Sequence, residues 1–294
     1  MNARSLARLT PVLAAALVMS TTGLSRAQVM PESVLINVDQ RYEFRKPSLM
    51  EYDEIEGHEL PVVEHIEDML FAADIEPLLP GDGDAESTIQ VEVRGQAIGG
   101  IYLEPGRAYL YTGANLAGEI TIVATDGSVA ARSFAATIQR PFDITLNLGY
   151  DDPANAPFRI ALEQPGGFLE QICHAMAEAW GVESIMPSLH EDEPAIRYAV
   201  AAALGNIGDP IAVPDLIEAL HDDHERVRWE AAWSLGRIGD VSAIPELIEA
   251  LNDDSGDVRW FSSWSLRALT GEDFGSDYDA WIGWLETSEA TARG

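Results

Sequence analysis

The sequence predicts two domains in series, a small β-sandwich-like domain followed by an all-α solenoid. Two observations support this fold class. Residues 84–150 contain five or six short segments in which apolar and polar residues alternate, separated by glycine-rich turns. From Val182 onward, a pattern of 31 residues occurs three times without a gap. Repetition at a fixed period is typical of solenoids.

The composition restricts the partners. Against 49 Asp and Glu there are 18 Lys and Arg, which gives a formal net charge of −31. Nucleic acids and anionic membranes bind basic surfaces, so neither is expected as a partner. The acid excess favours a basic protein partner, or serves only solubility. The one cysteine, Cys173, excludes an internal disulfide framework and a Cys-based zinc site.

Residues 1–27 predict a secretory signal. Arg4 and Arg8 precede a short apolar run, Val12–Met19, and small residues stand at the −3 and −1 positions before residue 28. The run is too short to span a bilayer. We therefore expect an exported protein, periplasmic or extracellular, without a membrane span after cleavage.

The domain organisation follows from composition and periodicity. Residues 28–83 predict an acidic, irregular segment with one short amphipathic helix within Leu60–Phe71. Residues 84–150 predict the β-domain, and residues 151–167, which contain three prolines, predict a linker. The solenoid is expected to occupy residues 168–294 and to open with a helix over Phe168–Trp180. The strand candidates are Thr88–Arg94, Gly100–Glu104, Ala108–Thr112, Glu119–Thr125, Val129–Ala136 and Phe142–Leu148.

The three repeat units are Val182–Ala212, Val213–Ala243 and Ile244–Phe274. The second and third units are identical at 14 of 31 positions, and the first and second at 12. In the second unit, helix A begins at Val213 and helix B covers Arg226–Arg237. Neither helix can bury its apolar side alone, so the units are expected to share one core.

Three sequence elements carry a family resemblance. They are Val-Pro-x-Leu-Ile-x-Ala-Leu from Val213, the Asp-x4-Arg element Asp223–Arg228, and Ala-Ala-x-x-Leu-Gly-x-Ile-Gly-Asp ending at Asp240. This pattern resembles HEAT-like repeats of the phycobilisome-lyase type, over residues 182–274. The resemblance implies a helical solenoid, used in this family chiefly for protein–protein contacts.

The third unit departs from the pattern. Arg267 replaces the glycine of the Leu-Gly element, which indicates a terminal unit. We expect Asp279–Glu286 to form a capping helix, with Trp281 and Trp284 covering the open end.

Acidic and basic residues recur in register in all three units. An aspartate precedes an arginine by five residues each time, and an arginine can hold a carboxylate and turn carbonyls together. We expect a structural ladder between repeats, with an anion site as the alternative. Its members are Asp192, Arg197, Asp223, Arg228, Asp254 and Arg259.

An aromatic set also recurs on the B helices. At 100° per residue, these rings point away from the core between helices A and B, towards the expected concave side. Exposed Trp and Tyr are common interface anchors, so we predict a partner-binding surface. The alternative is that the rings pack on neighbouring B helices, on the cap or on the β-domain. The predicted partner-binding residues are Tyr198, Trp229, Trp233, Trp260 and Trp264.

Other candidate chemistry is weaker. His221 and His224 flank acidic residues and could bind a metal, but the third unit has Asn252 and Ser255 there. Cys173 and His174 are adjacent on a helix and point about 100° apart, so they form no ready catalytic pair. The sequence has no nucleophile elbow, phosphate loop or HExxH motif. We therefore predict no catalytic residue, metal or cofactor.

The function predicted from the sequence is that of an exported, non-enzymatic protein–protein interaction module, a scaffold or adaptor. Two alternatives stay open. The family resemblance implies a bilin or chromophore lyase-like enzyme, and the β-domain could bind carbohydrate or the cell envelope.

Overall fold

The computed structural model describes residues 30–45, 52–54, 60–98, 101–104, 108–110, 113–139 and 156–293. The predicted signal segment, residues 1–27, and the strand candidate Phe142–Leu148 lie outside these ranges. The strands are β1 (Ser33–Arg45), β2 (Tyr52–Glu54), β3 (Glu76–Leu78), β4 (Ser87–Ile98), β5 (Ile101–Glu104), β6 (Ala108–Leu110), β7 (Gly113–Val123) and β8 (Val129–Gln139). The helices are α1 (Val62–Ala72), α2 (Ala156–Glu163), α3 (Phe168–Trp180), α4 (Pro194–Ile207), α5 (Val213–Ala219), α6 (Glu225–Ile238), α7 (Ile244–Glu249), α8 (Gly256–Thr270) and α9 (Tyr278–Arg293).

The N-terminal half is built on one main sheet, and the prediction of a β-sandwich is not confirmed. Its strand order is β2-β1-β4-β7-β8, and β3 pairs with the start of β1. Strands β1 and β4 run parallel, with α1 in the connection between them. A parallel pair requires such a crossover. Strands β4, β7 and β8 pair antiparallel, and β5 and β6, between β4 and β7 in the chain, form a separate two-stranded sheet.

The sheet has one covered and one open face. Along β4, residues Ile89, Val91 and Val93 are buried, while Gln90 and Glu92 between them are exposed. Helix α1 packs against β1 and β3, and α2 and α3 pack against β7 and β8. Helices therefore cover the apolar face, where the sandwich prediction placed a second sheet.

Two segments differ from the predicted organisation. Strand β1 lies in the segment expected to be irregular, and its inward side chains Val34 and Ile36 belong to the core. Helix α2 lies in the expected linker, where Phe158 and Leu162 are buried against the sheet. Helix α3 has the bounds predicted for it, but it packs on both the sheet and α4. The two halves therefore share one continuous core.

The C-terminal half has the helical pairs that the repeat predicts. Helices α5 and α7 are the A helices of the second and third units, and α4, α6 and α8 are the B helices. Gly239 ends α6 in the left-handed conformation, with φ 85°. The first unit has two short 3₁₀ segments, Val182–Ser184 and Met186–His190, in place of helix A. Among the described residues, no helix is both long and apolar enough to cross a membrane.

Candidate functional site

The B helices pack side by side through a small-residue contact. Gly205 and Gly236 lie against Ser234 and Ser265 of the next B helix, and a Cβ at either glycine would overlap the serine. The buried hydroxyls donate to backbone carbonyls of the preceding helix, Ser234 Oγ to Ala201 at 2.8 Å and Ser265 Oγ to Ala232 at 2.7 Å. These contacts fix the spacing of the rings that the helices carry.

The arginine ladder is present, but the aspartates are used differently from the prediction. Arg228 binds the carboxylate of Asp253, in the next unit, through Nε at 2.7 Å and Nη2 at 3.0 Å. Its Nη2 also donates to Asp254 at 3.0 Å. Within its own unit, Nη1 of Arg228 donates to the carbonyl oxygens of Asp222 and Asp223.

The preceding rung has the same geometry. Arg197 binds Asp222 through Nε and Nη2 at 2.7 and 2.8 Å, and Asp223 at 2.6 Å. It also donates to the carbonyl oxygens of Glu191 and Asp192. The main carboxylate acceptors, Asp222 and Asp253, were therefore missed: each stands one residue before a predicted ladder member.

The two bidentate acceptors, Asp222 and Asp253, have lowered pKa values. Burial opposes ionisation of Asp222, but hydrogen bonds from Arg197 and from the backbone amide of His224 outweigh it and lower the pKa of Asp222. The pKa of Asp253 is lowered in the same way by Arg228 and the amide of Ser255, against burial. Both carboxylates are ionised in the folded protein at neutral pH, as a ladder requires.

The ladder ends at Arg259. Nη1 of Arg259 donates to the carbonyl oxygens of Asp253 and Asp254, at 2.7 and 3.0 Å, as in the other two rungs. Among the described residues, no carboxylate accepts from its Nε or Nη2.

Only part of the predicted aromatic set is exposed. Tyr198 is 4% exposed and meets Trp229 edge-on at 5.5 Å between ring centroids, so the expectation of an exposed Tyr198 is wrong. Trp229 is half-buried and stacks on Phe261 at 4.8 Å. Trp233 is half-buried against Trp264 at 4.1 Å. These rings pack on the neighbouring B helices, which is the alternative that the sequence left open.

Two rings are open to solvent, because none of the described helices packs over α8 as α8 packs over α6. Trp260 is 58% exposed and Trp264 is 37% exposed. Phe261, which the sequence analysis did not select, supports both the buried and the open rings: it contacts Trp229, Trp233 and Trp260. We call Trp260 and Trp264 the open tryptophan face.

The C-terminal helix covers a different part of this end. Helix α9 packs against α7, and the hydroxyl of Tyr278 donates to Glu249 of α7 at 2.7 Å. Trp281 is buried as predicted, and its Nε1 donates to the carbonyl of Gly275 at 2.9 Å. The A-helix layer is therefore capped, while Trp260 and Trp264 on the B-helix layer are exposed.

A buried polar cluster joins α3, α4 and α6. Glu230 is 5% exposed and forms a hydrogen bond with the Tyr198 hydroxyl. Burial raises the pKa of Glu230 to about 7, with Glu170 adding to the shift and Tyr198 and Arg237 opposing it. Glu170 accepts from Asn206 at 2.7 Å. The repeat register could have singled out Glu230, because the equivalent residue is alanine in the first unit and phenylalanine in the third.

The remaining candidate residues, Cys173 and His224, have contacts within the fold. Burial raises the pKa of the Cys173 thiol, and the side chain is fully buried, as predicted for a small core residue. Nδ1 of His224 accepts from the backbone of Arg226 at the start of α6. Within the described ranges, no group of three or more His, Cys, Asp or Glu side chains could hold a metal ion.

Comparison with known proteins supports the repeat. Residues 182–267 match the family model for HEAT repeats. No curated protein matches the sequence. Among solved structures, the phycocyanin lyase complex of CpcE and CpcF from Nostoc is 31% identical over 30% of this chain and 36% of that chain, with a TM-score of 0.29.

Two further structures are similar at the same level. Human deoxyhypusine hydroxylase is 29% identical over 42% of this chain and 41% of its own, with a TM-score of 0.28. A Xanthomonas campestris protein of the DUF330 family is 14% identical over 48% and 82%, with a TM-score of 0.27. The match spans less than half of either of the first two structures. The family model and the internal repeat together identify residues 182–267 as HEAT repeats, as the sequence predicted.

Proposed function

We propose that this protein is an exported, non-enzymatic interaction module that binds a protein partner through the open tryptophan face of α8. The observation that carries the proposal is the difference between equivalent rings. Tyr198 and Trp229 are covered by the next B helix, whereas no helix within the described ranges covers Trp260 and Trp264 in this way. HEAT repeats in residues 182–267 are consistent with a scaffold role.

The exposed area is sufficient for an interface anchor. Together the two rings expose about the surface of one tryptophan side chain, roughly 200 Å². Covering it would contribute roughly 5 kcal/mol before the entropic cost of association. The rings are also held in place: Trp264 packs on Trp233, and Trp260 on Phe261. A fixed aromatic ring loses little freedom on binding, which is typical of interface hot spots.

Export and the sign of the partner's charge belong to the same proposal. The predicted signal segment supports a location outside the cytoplasm, and the net charge of −31 favours a basic partner at long range. The open face of the sheet carries mainly polar side chains such as Gln90, Glu92 and Arg94.

The test is partner capture with matched variants. Residues 28–294, which contain every described residue, would be immobilised and exposed to an envelope extract of the source organism. We expect a partner retained by the wild type to be lost by the Trp260→Ala, Trp264→Ala double variant. A hot-spot loss of about 2 kcal/mol weakens binding about thirtyfold.

The matched control is Phe71→Ala, because Phe71 of α1 is 65% exposed and lies outside the repeats. This control should retain the partner. Equal retention by the double variant, with unchanged helicity, would contradict the proposal.

A further inference from the structure

The last rung of the ladder is a positioned guanidinium, Arg259, that binds no carboxylate of the described part of the chain. In the first two rungs, Nη1 binds two turn carbonyls while Nε and Nη2 bind an aspartate of the next unit. Arg259 keeps both carbonyl bonds, so its fork is held in the same way. Its Nε and Nη2 edge is therefore preorganised for a carboxylate, which suits an arginine fork bidentately.

A further helical repeat does not fit on this end. Close packing of successive B helices uses a glycine on the earlier helix, Gly205 or Gly236, to admit a serine. Arg267 of α8 stands at the equivalent position and forms an exposed ion pair with Asp273 at 3.0 Å. Its Cβ occupies the place that the equivalent glycines leave open for a serine of the next helix. This argues against both a partner's HEAT repeat and end-on stacking of a second copy.

The charges that border the open tryptophan face indicate the occupant. Arg259 lies at one end of α8, Arg267 lies eight residues further on, and Trp260 and Trp264 are between them. Eight helical residues span about 12 Å. An extended chain rises about 3.3 Å per residue, so about four of its residues cover that distance.

Building on the proposed function, we propose that the open tryptophan face and Arg259 bind an extended acidic segment of a partner protein. One carboxylate of the segment completes the Arg259 rung. A second, about four residues away, lies near Arg267, and an apolar side chain between them covers the tryptophans. Asp273 pairs with Arg267, and Asp257 lies one turn before Trp260 on α8. The selection of an acidic segment therefore rests on the fork of Arg259, whatever the partner's net charge.

The probe is a seven-residue peptide with aspartate at its second and sixth positions and leucine at its fourth. It would be titrated into residues 28–294 labelled with ¹⁵N, and the Nε–H signal of Arg259 and the indole signals of Trp260 and Trp264 would be followed. We expect saturable shifts at these groups. Arg259→Gln should weaken binding about tenfold or more, because a charge-assisted hydrogen bond is lost.

Three controls make the result decisive. A peptide with asparagine at both aspartate positions should shift the signals little, and one with lysine there should not bind. Arg94→Gln, which removes an exposed arginine on the open face of the sheet, should bind the acidic peptide as the wild type does. Equal shifts with the asparagine or lysine peptide would overturn the proposal.

Other occupants have their own signatures. Concentration-dependent shifts of the same signals without peptide would show that a second copy covers the surface, and would overturn the proposal. If the Arg259 signal changes only when residues 140–155 are deleted, a segment of the chain itself occupies the surface, and the proposal is overturned. If captured partner is lost by the tryptophan variants but retained by Arg259→Gln, the proposed function stands and this inference fails.

Discussion

The contribution of the ladder to stability can be predicted by comparing two of its arginines, Arg228 and Arg259. Arg228→Ala removes the two bonds to Asp253, the bond to Asp254 and two bonds to carbonyl oxygens. It also leaves Asp253, whose side chain is 12% exposed, without its cation. Breaking a buried pair by removing one partner costs about 3 kcal/mol of unfolding free energy or more.

Arg259→Ala is the matched variant, because Arg259 has the same carbonyl bonds and no carboxylate partner among the described residues. It loses only the two partly exposed bonds to carbonyl oxygens, which Arg228→Ala loses as well, and this predicts roughly 1–2 kcal/mol. The difference between the variants, about 2 kcal/mol, is the contribution of the contact between repeats. Urea unfolding followed by tryptophan fluorescence and far-ultraviolet circular dichroism would measure it.

Acid pH provides a second test of the same contact. The pKa of Asp253 is lowered from 3.8 in the folded protein, so its stabilisation is present above pH 3.8 and is lost as the pH falls through the folded-state value. The difference in unfolding free energy between the wild type and Arg228→Ala should therefore become smaller only below pH 3.8. Equal destabilisation by the two arginine variants at neutral pH would refute the reasoning.

Three further predictions concern buried groups. Burial raises the pKa of Glu230 from 4.5 to about 7, so the unfolding free energy should fall by roughly 3 kcal/mol as the pH rises through that range. Unfolding measured at pH 5 and pH 8 should show this fall in the wild type and not in Glu230→Gln. Gly236→Ala forces a methyl group onto Ser265 and should lower the unfolding free energy by about 1–3 kcal/mol, whereas an unchanged midpoint in urea would show that the helices can move apart. Cys173 should react with a thiol reagent only after unfolding, and rapid modification of the native protein would contradict its burial.

Much of the helical half could be predicted because its signals are local. The 31-residue register fixed the start of α5 at Val213, and the apolar periodicity of Phe168–Trp180 matched α3 at both ends. The predicted ladder aspartates Asp223 and Asp254 accept from Arg197 and Arg228 of the preceding unit, but the bidentate acceptors were not predicted. Spacing within one unit relates Asp223 to Arg228, but the bidentate acceptor Asp253 is brought in by the stacking of the next unit, which no single unit encodes.

The N-terminal half was harder because its organisation depends on long-range pairing. Val34, Ile36 and Val38 alternate as a strand requires, yet the acidic composition around them favoured an irregular segment. The spacing of Phe158, Ala161 and Leu162 is helical, but the prolines nearby favoured a linker. The parallel pairing of β1 with β4 arises from the α1 crossover, and alternation along a strand does not reveal its partner.

Exposure was the other quantity that the sequence did not provide. Tyr198, Trp229 and Trp260 occupy equivalent positions in the three units, and their ring directions predict one common surface. Their burial differs because each B helix is covered by the one that follows it. Only the position of a ring in the stack decides whether a partner can reach it.

The most direct test of the central claim is site-specific photo-crosslinking in the native host. The photoreactive residue p-benzoylphenylalanine would replace Trp260 in one variant and Phe71, an equally exposed ring on α1, in the other. The account predicts a discrete covalent adduct with a protein partner from position 260 and none from position 71. No adduct from position 260, or the same adducts from both positions, would contradict binding through the open tryptophan face.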